Sequence, residues 1–224
     1  MIPPNPPLLR ALGQLARGLS ALFWGLPAAL LVCTETARAD WLQPMGFAPA
    51  LAVNGLIFYG LWQMSAFQKT ERPWRAVLDR TLLLALVDLG LCPFIYWHNR
   101  LPDQPYFTDA VWLLELAAVL FLFNLNLVLK RLGTMLPDET LRHETRQITT
   151  MNRWLLVLLL FFCLAFIVFS QLSPLSLPAG RILIWLNRAS GMLLIFFILL
   201  PLAMTMALIW KTKEVILDAV FGAR

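Results

Sequence analysis

Residues 81–129 read TLLLALVDLGLCPFIYWHNRLPDQPYFTDAVWLLELAAVLFLFNLNLVL. Two apolar runs, 81–97 and 106–129, flank a polar turn from His98 to Asp109, and Asp88 and Glu115 each sit inside one run. About 20 apolar residues at ~1.5 Å rise cross the ~30 Å of hydrocarbon in a bilayer, so the stretch reads as a transmembrane hairpin. An ionised carboxylate there costs roughly 2.5–3.5 kcal/mol on insertion scales. Each acid therefore needs a partner, a proton or a water-lined cavity.

The rest of the chain repeats the pattern. Of 224 residues, 59% are hydrophobic and 14% charged, with a mean hydropathy of +0.71, outside the range of soluble domains. Further apolar runs cover 19–33, 45–67, 154–170 and 182–210, with Pro27, Pro93 and Pro201 as candidate kinks. The net charge of +5 falls in short loops, where it sets topology, and nucleic-acid binding is excluded on that ground.

Orientation follows from sorting Lys and Arg by side. Arg10, Arg17, Lys69, Arg72, Arg75, Arg80, Lys130, Arg131, Arg142, Arg146, Arg153, Lys211, Lys213 and Arg224 fall on one side, and Arg38, Arg100 and Arg181 on the other. The positive-inside rule puts the first set in the cytoplasm. The expected architecture is all-α: a polytopic integral membrane protein with six transmembrane helices in three hairpins and both termini cytoplasmic. A bacterial inner membrane is the expected location.

Three segments make up the chain. Residues 1–18 form a lead-in, with Pro-rich residues 1–7 extended and residues 8–18 a short amphipathic helix carrying Arg10 and Arg17. Residues 19–210 are the six-helix domain, and 211–224 a cytoplasmic amphipathic tail. Ala37-Arg38-Ala39 also fits a signal-peptidase site, and cleavage there would leave five spans. Residues 68–80 read as a polar connector. Pro137, Asp138 and Glu139 suit a helix start, from which one helix runs through Arg142, Arg146 and Arg153 into the fifth span, projecting into the cytoplasm.

Measured from the outer ends of their runs, Asp88, Glu115 and Asn54 lie nine residues deep and Arg188 six. That places all four in one layer roughly 9–14 Å below the outer boundary. Arg188 as counter-ion to the carboxylates, with Asn54 completing the hydrogen bonds, makes the layer a lock on the bundle. Two acids against one Arg also leave a carboxyl able to take up a proton or a cation, which makes it an ion or proton site. Asn124 and Asn126 point to different sides of one helix and suit interhelical hydrogen bonds. Arg142, His143 and Arg146 form a charged face suited to another subunit or to anionic lipid.

Catalytic sets are not indicated. The only histidines, His98 and His143, lie at opposite ends of their spans, so no bis-histidine haem fits, and His98 reads as interfacial. Ser190, after Arg188 and Ala189, has no intramembrane histidine to activate it. HExxH and P-loop patterns do not occur. Cys33, Cys92 and Cys163 lie in apolar runs without CxxC spacing, so no zinc site or disulfide framework is indicated. No cofactor is expected. The reading is a non-catalytic subunit or scaffold whose partners are lipid and other membrane subunits or copies of itself. The alternative is a small proton- or cation-coupled transporter or oligomeric channel using Asp88 and Glu115.

Overall fold

Proline and the connectors decide where the helices start and break. The computed structural model describes residues 6–38, 44–68, 71–135, 139–172 and 197–218. Helix α1 (Pro6–Arg38) opens on a proline, whose missing N–H costs nothing in a first turn. It then runs on through Pro27 as one rod. The expected extended lead-in, short surface helix and separate span are thus one continuous helix from Pro6: the one interior proline between Leu8 and Cys33, Pro27, removes a single backbone hydrogen bond without ending the helix. Residues 1–5 lie outside the described set.

Helix α2 (Ala48–Met64) has a proline in its first turn, as does α3 (Arg72–Leu91), preceded by Glu71 in an extended conformation. Residues 72–80, expected as connector, are already helical. Trp74 is buried and its indole N–H donates to the Phe67 carbonyl at 3.2 Å, which folds the short link between α2 and α3 onto the bundle.

The third apolar run is split. Pro93 has no N–H for the Leu89 carbonyl, and the Cys92 thiol donates to that carbonyl instead at 3.2 Å. Helix α4 (Pro93–Arg100) follows, and Asn99 Nδ2 donates to the Thr36 carbonyl at 3.3 Å, fixing its end to that of α1.

Helix α5 (Pro105–Met135) and helix α6 (Glu139–Leu172) run for 31 and 34 residues. Helix α6 is continuous from Glu139 into the apolar run, as its sequence predicts; Pro137 and Asp138 lie outside the described residues. Its first half does not project freely, however. It packs against α5 and against α7, the helix over residues 197–218, with Gly133 against Thr145 and Glu144 ion-paired to Lys211. The tail differs from expectation for the same reason: α7 passes Trp210 unbroken, and Thr212 and Ile216 are fully buried. Residues 219–224 are outside the described set.

Among the described residues the protein is all-helical, with no strand. Among the described residues three helices are long and apolar enough to cross a membrane, over Arg10–Ala37, Pro105–Met135 and Arg142–Ala165, as a membrane-embedded protein requires. Their packing is antiparallel. On α1 and α2, Gly18 meets Gly60 and Gly25 meets Ile57; on α5 and α6, Asn126 meets Asn152 and Gly133 meets Thr145. Between α6 and α7, Glu144 meets Lys211 and Phe162 meets Phe197.

One core joins five helices. Leu19 and Leu22 of α1, Leu61 of α2, Leu78 of α3, Leu125 and Leu129 of α5, and Leu208 and Ile209 of α7 belong to it. Helix α6 reaches the bundle through a smaller cluster, Val119, Leu156 and Leu159. Its outer face, with Trp154, Phe161 and Val168, stays exposed.

Candidate functional site

The groups expected in one layer fall into two places. Asp88 on α3 is only 6% exposed, and its Oδ1 has no hydrogen-bond partner among the described residues. Its charge is felt by the thiols of Cys33 and Cys92, which are also within electrostatic reach of one another. Asn54 on α2 joins this group: its Nδ2 donates to the Ala50 carbonyl at 2.9 Å and to Cys33 Sγ at 3.8 Å. The junction of α1, α2 and α3 therefore gathers Asp88, Asn54 and two free thiols.

Glu115 lies elsewhere. Its side chain is exposed on α5, and its charge reaches Cys163 of α6. Matching depth did not mean matching direction, because each residue along a helix turns the side chain by ~100°. Arg188, Ser190 and Arg181 lie outside the described residues.

The best-formed polar site is one that the sequence only half disclosed. Asn126 on α5 is fully buried, and its Nδ2 donates to the Leu122 carbonyl at 2.8 Å and to Thr205 Oγ1 on α7 at 3.0 Å. Asn152 on α6 is equally buried. Its Nδ2 donates to Asn126 Oδ1 at 3.0 Å, to Thr205 Oγ1 at 2.9 Å and to the Pro201 carbonyl at 3.1 Å. Thr205 Oγ1 in turn donates to the same carbonyl at 2.7 Å. Three helices are thus tied at one level by side-chain amides. Asn152 precedes the apolar run that begins at Trp154 and was not singled out in the sequence. Asn124, by contrast, bonds among the described residues to its own helix, at the Leu120 carbonyl.

From Asn152 a polar stripe descends α6. Thr149 and Thr145 follow at helical spacing, both buried, and Thr149 Oγ1, Thr145 Oγ1 and Asn152 Oδ1 are buried oxygens without hydrogen-bond partners among the described residues. The stripe ends in a cavity of about 510 Å³ between α5 and α6, lined by Lys130, Thr134, Arg142, His143, Thr145 and Arg146. Arg142, His143 and Arg146, singled out in the sequence, are brought together there; Lys130 and Thr145 were missed as members because their partners lie across a helix pair. His98, at the other end of the bundle, is half-buried with Nδ1 3.4 Å from Thr108 Oγ1.

Amides and hydroxyls make the central node a hydrogen-bonded clasp, and the basic cavity offers cations to an anion. Comparison with protein-family models, with curated proteins and with solved structures finds no match.

Proposed function

We propose that the chain is a non-catalytic, membrane-embedded subunit or scaffold of a larger membrane assembly, with six spans, both termini cytoplasmic, in a bacterial inner membrane. One observation carries this reading: the exposed Glu115 of α5 has no ion-pair or hydrogen-bond partner among the described residues. On a face turned to lipid, such a group costs several kcal/mol by the order of magnitude of simulations, whereas a neighbouring helix with a donor or cation removes the cost. The basic-residue distribution supports the orientation, and the antiparallel α1/α2, α5/α6 and α6/α7 pairs agree with a chain that crosses back and forth.

The test is the size of the assembly in mild detergent. Wild type is expected to migrate as a complex with itself or another membrane protein, and Glu115→Leu as a lone chain of unchanged thermal stability. A wild-type chain that runs alone in both mild detergent and lipid discs removes the reading.

A proton- or cation-coupled transporter is the second reading, favoured by the buried, unpartnered Oδ1 of Asp88. In reconstituted vesicles it requires that Asp88→Asn or Glu115→Gln abolish flux while the protein stays folded. Unchanged flux in both variants excludes it.

A further inference from the structure

The cavity between α5 and α6 has a composition that the subunit reading does not use. Lys130 and Thr134 stand one turn apart on α5, and Arg142, Thr145 and Arg146 at i, i+3 and i+4 on α6, so all five side chains converge from two facing stripes. None of Lys130, Arg142 and Arg146 has an ion-pair partner among the described residues. Glu144, the acid between them in sequence, is held away by Lys211.

At the back of the cavity, Thr145 is 1% exposed, and its Oγ1 has no hydrogen-bond partner among the described residues. A buried hydroxyl without a partner is costly, and Gly133 packs against this residue closely enough that a Cβ there would be 3.1 Å from Thr145 Cγ2. The hydroxyl is thus seated by packing against Gly133, in a cavity whose lining includes three cations without an ion-pair partner among the described residues.

We propose that this cavity binds the phosphate headgroup of an anionic phospholipid, with Lys130, Arg142 and Arg146 supplying the charge and Thr145 a hydrogen bond. Guanidinium groups match phosphate oxygens bidentately, and basic pockets between spans on the cytoplasmic side are suited to such headgroups. A lipid is chosen over a soluble anion because of position. The walls are the ends of two helices apolar enough to cross a membrane, Pro105–Met135 and Arg142–Ala165, so the cavity opens at the level where lipid phosphates lie. Its volume of about 510 Å³ is that of a small-ligand site.

The test titrates the full chain, in detergent, with phosphatidylglycerol or phosphatidylcholine and reads bound lipid by native mass spectrometry. Phosphatidylglycerol is expected to bind selectively. R142Q/R146Q weakens it by about fivefold per guanidinium, so roughly twenty-fivefold for the pair. Thr145→Val, which loses a hydroxyl with no hydrogen-bond partner among the described residues, keeps the melting temperature and still weakens phosphatidylglycerol binding. That variant stands as the test if the double variant does not fold. R75Q/R80Q, which removes two exposed charges outside the cavity, leaves binding unchanged.

Four results overturn the proposal. They are equal binding of the two lipids, wild-type binding in both R142Q/R146Q and Thr145→Val, a loss in R75Q/R80Q as large as in the cavity variants, and displacement of phosphatidylglycerol by equimolar inorganic phosphate. The last would mark a soluble-anion site.

Discussion

Gly18 and Gly60 meet backbone to backbone where α1 crosses α2. A Cβ on Gly18 would lie 2.5 Å from the Gly60 carbonyl oxygen, and one on Gly60 would lie 2.9 Å from that of Gly18. The contact has no flexible side chain to yield, so the two helices must separate to admit a methyl group. Small residues permit this close approach within a membrane, where packing and not hydrophobic expulsion holds helices together.

Gly18→Ala and Gly60→Ala are therefore each expected to cost about 1–3 kcal/mol, as overpacking of a closed contact does. Thermal unfolding in detergent measures it. Gly55→Ala and Gly90→Ala serve as controls, since a Cβ at either meets nothing within 4 Å, and both should hold or raise stability.

The clasp of Asn126, Asn152 and Thr205 should show as coupling between helices. In a double-mutant cycle of Asn152→Leu and Thr205→Val, the expected interaction energy is about 0.6–1.7 kcal/mol, the span found for interhelical hydrogen bonds in membranes. Additive effects would mean that the 2.9 Å bond between them contributes nothing to stability.

Asp88→Asn should melt at or above the wild-type temperature. The carboxylate is buried with one oxygen unpartnered among the described residues, so neutralising it removes a burial cost and no visible bond. A marked loss of stability would instead reveal a counter-ion for Asp88 in the part of the chain that includes Arg188.

The ion pair of Glu144 and Lys211 is half-exposed, with 45% and 46% of the side chains accessible. Glu144→Gln is expected to cost no more than about 1 kcal/mol, a loss that shrinks as salt is raised. Denaturation at low and high ionic strength checks both statements.

The amino-acid sequence by itself determined that the chain is helical, and where its apolar runs lie. Helical hydrogen bonds are made within a few residues, and an apolar run long enough to cross a bilayer is visible in one dimension. It also pointed to Asp88, Asn126 and the basic residues Arg142, His143 and Arg146. Where one helix ends was less legible: residues 72–80 and 211–218 are polar enough to read as connector and tail, yet their buried faces, with Trp74 and Ile216, pack on the core. Only the tertiary structure decided which polar groups meet. Depth along a helix follows from counting residues, but direction around it depends on how each helix rotates to bury its neighbours' side chains. That rotation turned Asp88 inward and Glu115 outward, and it joined Asn152 to Asn126 and Thr145 to Lys130 across helix pairs that spacing along the chain does not encode.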